Sequence, residues 1–136
     1  MGANKLLIVT ALVETPTGLM LLVSPTLLVT LLLGASLDAP AALVVARIAG
    51  AALLSLSRAC WLARDDEPSR ARRGLIAAML LYNCAAGAVL GQAVAGAKLV
   101  GVLMWPAVAL HAALALWCIA CLRSGSATVA AVRAKS

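Results

Sequence analysis

Long apolar runs, interrupted at a few polar positions, set the pattern of this chain. A membrane-spanning helix needs about 20 mostly apolar residues, and four windows reach that length. They run from about Leu6 to Val23, Ala41 to Leu62, Leu75 to Ala95 and Leu99 to Leu122. The pattern predicts an all-α, polytopic membrane protein of a single domain. Between the first two windows lies Ser24-Pro25-Thr26-Leu27-Leu28-Val29-Thr30-Leu31-Leu32-Leu33-Gly34. Ser24 suits an N-cap, Pro25 the first helical position and Gly34 the C-terminal stop. Fused to the first window this piece would give a helix of about 42 Å, longer than the bilayer core is thick. It therefore reads as a separate short interfacial or re-entrant helix over 25–33. Asp38, followed by Pro40, is placed to cap the second span.

The one strongly polar stretch runs from Arg64 to Gly74 and reads as a solvated loop, 63–74 in all. Gly96 to Lys98 reads as a tight connection, and 123–136 as a small, polar, basic tail. The N-terminus, with Lys5 before an apolar run, imitates a signal peptide. Glu14 and Pro16 interrupt that run, no clean small-x-small site follows it, and further apolar runs come after. A first membrane span is the better reading. A faint repeat also lays Gly50–Cys60 on His111–Cys121, and Leu7-Ile8 on Leu75-Ile76. Two duplicated hairpins would produce such matches, with a pseudo-twofold along the membrane normal. So would chance in an Ala/Leu-rich chain.

Composition turns the pattern into an argument about solvent. Of the 136 residues, 64% are apolar and 12% charged, and the mean hydropathy is +1.05. A soluble domain is about half apolar and about a quarter charged. A chain this short cannot hide the excess from water, so an ordinary soluble globule, a disordered chain and a nucleic-acid-binding domain are excluded. The net charge of +6 does not restore nucleic acid as a partner, because the basic residues sit at the ends of apolar runs. Lys5, Arg58, Arg64, Arg70, Arg72, Arg73, Arg123, Arg133 and Lys135 fall on one side, against Lys98 on the other and Arg47 inside a span. That asymmetry predicts cytoplasmic termini and a cytoplasmic 63–74 loop in a bacterial inner (plasma) membrane. Trp61 and Trp105 suit interfacial anchoring. The arginines of the loop suit anionic headgroups as well as orientation.

Polar residues at depth are where a function has to be sought, because an ionisable group in hydrocarbon costs about 2.5–3.5 kcal/mol on insertion scales. Counting along ideal helices puts Glu14 at ~13 Å and Asn83 at ~12 Å from the inner side, Arg47 at ~9 Å from the outer side and His111 near the midplane. Glu14, Arg47, Asn83 and His111 are thus the candidate ion- or substrate-binding residues. Thr10, Glu14, Thr17 and Gly18 share one side of the first span. Met104, His111, Ala115 and Cys118 share one side of the fourth. Asn83, Gly87, Gly91 and Ala95 form a small-residue stripe in the third, with Gly87 and Gly91 expected to carry helix packing. Two readings stay open. Glu14 is a proton- or cation-binding carboxylate, with His111 as relay and Pro16 loosening the backbone beside it. Alternatively, Glu14 and Arg47 form a buried pair, and Asn83 and His111 bond helix to helix at about 0.6 kcal/mol each.

Other chemistry is thin. Cys118 and Cys121 form a CxxC without a second pair, and read as small apolar packing residues. A bis-His haem would need His111 from two copies. There is no nucleophile–base–orienter set, phosphate loop or metalloprotease motif. A non-enzymatic protein without metal or cofactor is expected. Its partners are the lipid bilayer and either further copies of itself or other membrane subunits.

Two resemblances arise on these residues. The stretches Arg47-Ile48-Ala49-Gly50-Ala51-Ala52-Leu53-Leu54 and Gly74-Leu75-Ile76-Ala77-Ala78-Met79-Leu80-Leu81-Tyr82-Asn83 resemble small uncharacterised bacterial four-helix membrane proteins of DoxX-like type. That resemblance implies a four-helix bundle and an accessory role beside respiratory or redox partners, with no catalytic residue. In size, helix count and a carboxylate in the first span, at Ala11-Leu12-Val13-Glu14, the chain is also similar to small multidrug resistance transporters. That likeness implies a small oligomeric proton-coupled transporter using Glu14. The chain departs from that pattern at Arg47, in the 24–34 segment and in lacking an aromatic- and Gly-rich third span.

Overall fold

The computed structural model describes the backbone of residues 2–133 and the side chains of residues 2–124. It is all-helical. The helices are α1 (Ala3–Val23), α2 (Pro25–Leu33), α3 (Pro40–Leu62), α4 (Arg70–Ala97) and α5 (Met104–Arg133), with a 3-10 turn at Ala63–Asp65 after α3. Among the described residues, four helices (α1, α3, α4 and α5) are long and apolar enough to cross a membrane. None buries more than 33% of its apolar window inside the protein. The remaining apolar surface, including Leu12, Val45, Ile48, Leu81, Val89 and Leu116, suits an apolar surrounding.

The short helix forms as expected. Pro25 stands at its start, and Gly34 ends it with φ 71°, the left-handed geometry glycine adopts without strain. Ser24 is the N-cap residue, but its side chain makes no capping bond. Asp38 does not cap α3 either. Ala39 holds that position, and Asp38 instead accepts a hydrogen bond from Ser36.

Three boundaries differ from expectation, each for a local reason. α4 begins at Arg70 rather than 75, because the Ser69 hydroxyl caps it by accepting the Arg72 N–H at 3.1 Å. The last span begins at Met104 rather than 99. The Gly101 and Leu103 N–H groups donate to the Leu32 and Leu31 carbonyls at 3.0 and 2.9 Å. These bonds satisfy carbonyls left free at the end of α2 and hold the segment before Met104 out of helix. At the far end, α5 continues through the expected tail as far as Arg133. Residues 134–136 of that tail lie outside the described residues.

The polar loop is not uniformly solvated. Arg72 is 7% exposed. It donates to the Asp66 and Arg64 carbonyls and to Asn4 Oδ1 at 2.7, 3.1 and 2.7 Å, tying the loop to the start of α1.

Two tight hairpins, α1 with α3 and α4 with α5, make up the bundle. Leu6, Leu7, Ala11, Cys60, Ile76, Met79, Leu114 and Cys118 form one core between them. Cys60 and Cys118 are fully buried there, where a small polarisable side chain packs well.

Candidate functional site

Glu14 lies on the inward stripe of α1, with Leu7, Thr10, Ala11 and Gly18, and is 2% exposed. The helix continues through Pro16, although a proline offers no N–H to the carbonyl four residues back. Threonine hydroxyls bond to neighbouring carbonyls of that turn. Thr15 donates to the Ala11 carbonyl and Thr17 to the Val13 carbonyl, both at 2.8 Å. Thr15 Oγ1 also lies 2.6 Å from Ser57 Oγ, and Ser57 Oγ lies 3.0 Å from the Ala11 carbonyl. The two hydroxyls and one carbonyl lock α1 to α3 one turn from Glu14.

Around the carboxylate the structure places Tyr82, whose hydroxyl donates to Glu14 Oε2 across a long 3.4 Å. Glu14 Oε1 is buried without a hydrogen-bond partner, as is Thr10 Oγ1 one turn earlier. The Tyr82 ring meets His111 edge-on, with ring centroids 5.7 Å apart. His111 Nδ1 lies 2.9 Å from Asn83 Oδ1, and Asn83 Nδ2 donates to the Met79 carbonyl at 2.8 Å. With its amide NH2 committed in this way, Asn83 Oδ1 accepts a hydrogen bond from His111 Nδ1–H, which leaves Nε2 as the acceptor nitrogen of the neutral ring. Glu14, Tyr82 and His111 share the wall of a cavity of about 260 Å³ with Leu28 and Leu32 of α2 and with Leu103.

Three of the four candidates from the sequence, Glu14, Asn83 and His111, therefore meet in one layer. Arg47 does not join them. It is exposed, and the ion pair observed among the described residues is Arg64–Asp65 at 3.0 Å. The expected Glu14–Arg47 pair is absent because the arginine remains on the bundle's outer surface, where its long side chain can reach the interface.

The packing glycines are also different ones. Gly91 is exposed, and a Cβ added there meets nothing within 4 Å, while at Gly87 it meets only His111 Cβ at 3.8 Å. The close approach is Gly18 against Gly50. A Cβ on either would sit 2.8 or 2.7 Å from the other's carbonyl oxygen. Tyr82 is the member of the layer that sequence reasoning missed. Its signal was position, one residue before Asn83 in a span otherwise free of aromatics.

The layer is a buried carboxyl without a cation, facing an apolar cavity, with a phenol and an imidazole as its polar neighbours. Such a set can take up and release a proton, or hold a small cation against the carboxylate. Compared with protein-family models, curated proteins and solved structures, the chain finds no match in any of the three.

Proposed function

We propose that this protein is a small, oligomeric, proton-coupled carrier of the bacterial inner membrane, with Glu14 as its proton site. The observation that carries the reading is the Glu14 carboxyl itself. It is buried, has an oxygen without a donor, forms no ion pair with Arg47 and lines a cavity. A bare carboxylate in hydrocarbon is costly, so a group kept there without compensation suits the binding of a proton or cation. Tyr82 positions one carboxyl oxygen. His111, held by Asn83, offers the next proton acceptor along the cavity wall. A cotransported ligand would be small and largely apolar, to suit the leucine and proline walls. Both termini and the 63–74 loop face the cytoplasm in this reading.

Dicyclohexylcarbodiimide, an apolar reagent that modifies protonated carboxyls, tests the site on the full chain in detergent. An adduct at Glu14, located by mass spectrometry and lost in Glu14→Gln, is expected. In liposomes, an imposed pH gradient drives proton entry, read by an internal dye, and Glu14→Gln abolishes it. Modification confined to the loop carboxylates, or proton entry unchanged in Glu14→Gln, would overturn the assignment.

A second reading, a non-enzymatic accessory subunit, draws on the outward face of α4. Cys84, Ala88, Gly91, Gln92 and Ala95 are exposed there, a surface small enough for another helix to approach closely. A monodisperse monomer without co-purifying subunits would count against it.

A further inference from the structure

A second cavity, of about 420 Å³, lies at the end of the bundle that holds the start of α1. Its wall includes Ser69, Arg70, Arg72 and Arg73 from the start of α4, and Ile76 and Leu122 from the apolar interior. We propose that this cavity binds the phosphate of an anionic phospholipid headgroup, with the glycerol end of the lipid on the Ile76–Leu122 side. The site is separate from the Glu14 layer, and the proposal is independent of any carrier role.

The charge arrangement is the first reason. The N-terminal turn of a helix carries partial positive charge and favours acidic side chains. α4 has none in that turn and carries Arg70, Arg72 and Arg73 instead. The helix start, Arg70 and Arg72 therefore concentrate positive charge at one spot that favours an anion, with Arg73 beside them donating to the Leu122 carbonyl at 3.4 Å. Asp65 is committed to Arg64, and Asp66 and Glu67 are exposed in the adjoining loop, outside the cavity wall.

The second reason is Arg72. It is 7% exposed, and its two terminal nitrogens are occupied by Asp66, Arg64 and Asn4. Its Nε–H is buried without a partner, on a side chain that forms part of the cavity wall. A buried donor without an acceptor is costly, and a phosphate oxygen would supply one with a charge-assisted bond. The third reason is the apolar part of the same wall. Ile76 and Leu122 offer nothing to a free inorganic anion but suit the apolar part of a lipid. The cavity also sits where two candidate spans, Arg70–Ala97 and Met104–Ser124, begin and end, which is headgroup depth in a bilayer.

Native mass spectrometry of the detergent-purified full chain tests the site. The probes are phosphatidylglycerol and phosphatidylcholine of matched acyl chains, with inorganic phosphate and glycerol 3-phosphate as competitors. Both lipids carry the same phosphodiester, so the expected preference for phosphatidylglycerol, about tenfold, comes from the choline cation of phosphatidylcholine, which the arginines of the wall repel. Arg70→Glu, at an exposed position, removes that preference, while Lys98→Ala at the opposite end keeps it. Arg73→Gln weakens it in a protein whose Arg72 anchor is intact. Equal retention of the two lipids by the unmodified chain, or a preference unchanged in both Arg70→Glu and Arg73→Gln, overturns the proposal. Displacement of phosphatidylglycerol by equimolar inorganic phosphate overturns the lipid assignment and leaves a site for free phosphate.

Discussion

At the scale of single residues, the same substitution should behave oppositely at two glycines. At Gly50 a new methyl would lie 2.7 Å from the Gly18 carbonyl oxygen, and at Gly91 it would meet nothing. Gly50→Ala forces α1 and α3 apart and is expected to cost about 1–3 kcal/mol, the usual range for overpacking. Gly91→Ala should stay within about 0.5 kcal/mol of the parent, as surface changes do. Helix content followed through a denaturant titration in detergent checks both. The sequence favoured Gly91, through its place in the Asn83–Ala95 small-residue stripe, over Gly50. Which one faces a neighbour depends on rotation about the helix axis. A span that is apolar on all sides gives no hydrophobic stripe from which to read that rotation. Arg47 shows the same limit. Its depth was legible from counting residues, its direction was not, and the pair with Glu14 required both.

Among elements, α2 and the segment before Met104 work as one unit. The Leu31 and Leu32 carbonyls are satisfied by Leu103 and Gly101, and a Cβ at Gly101 would collide with the Leu31 carbonyl. Leu28, Leu32 and Leu103 from this unit form part of the wall of the Glu14 cavity. Gly101→Val is therefore expected to part α2 from the segment before Met104 and raise the access of water to Glu14. Modification of Glu14 by a water-soluble carbodiimide should rise several-fold over the unmodified chain, and an unchanged rate would show that the clasp does not limit access. At the start of α4, Ser69→Ala removes the cap on the Arg72 N–H. It should cost about 1 kcal/mol, read from the same denaturant titration. The serine was visible in the sequence before Arg70, yet the charged run behind it looked like loop. Charge predicts contact with water or headgroups and does not exclude a helix.

For the whole molecule, the two hairpins carry traces of one plan. The side-chain hydrogen bonds between α1 and α4, Arg72 to Asn4 and Tyr82 to Glu14, each join residues 68 apart. That is the offset that lays Leu7-Ile8 on Leu75-Ile76, so the two helices run parallel at matched depth. Gly50, Leu53, Ser57 and Cys60 form the buried stripe of α3. In the match that lays Gly50–Cys60 on His111–Cys121, Leu53 and Ser57 correspond to Leu114 and Cys118, which are also buried. Parallel hairpins put both helix starts at one face and the α2 clasp at the other. A membrane-impermeant maleimide applied to intact cells is thus expected to label Ser36→Cys and to spare Ser69→Cys. Labelling of both, or of Ser69→Cys alone, would reverse or dissolve the proposed orientation.

By itself the sequence predicted four helices long and apolar enough to cross a membrane, and the elements that carry them. A surplus of apolar residues in four long windows suits a hydrocarbon surrounding, and proline and glycine punctuate the short helix between. It also placed Glu14, Asn83 and His111 at similar depth, because rise per residue is constant along a helix. Tertiary structure alone decided which groups meet. It brought Tyr82 rather than Arg47 to Glu14, Gly18 rather than Gly91 to the close crossing, and Arg72 from an apparently solvated loop into a buried anchor. The physical reason is common to all three. Depth follows from counting along one chain, whereas contact follows from helix rotation and docking, which side chains on several helices settle together.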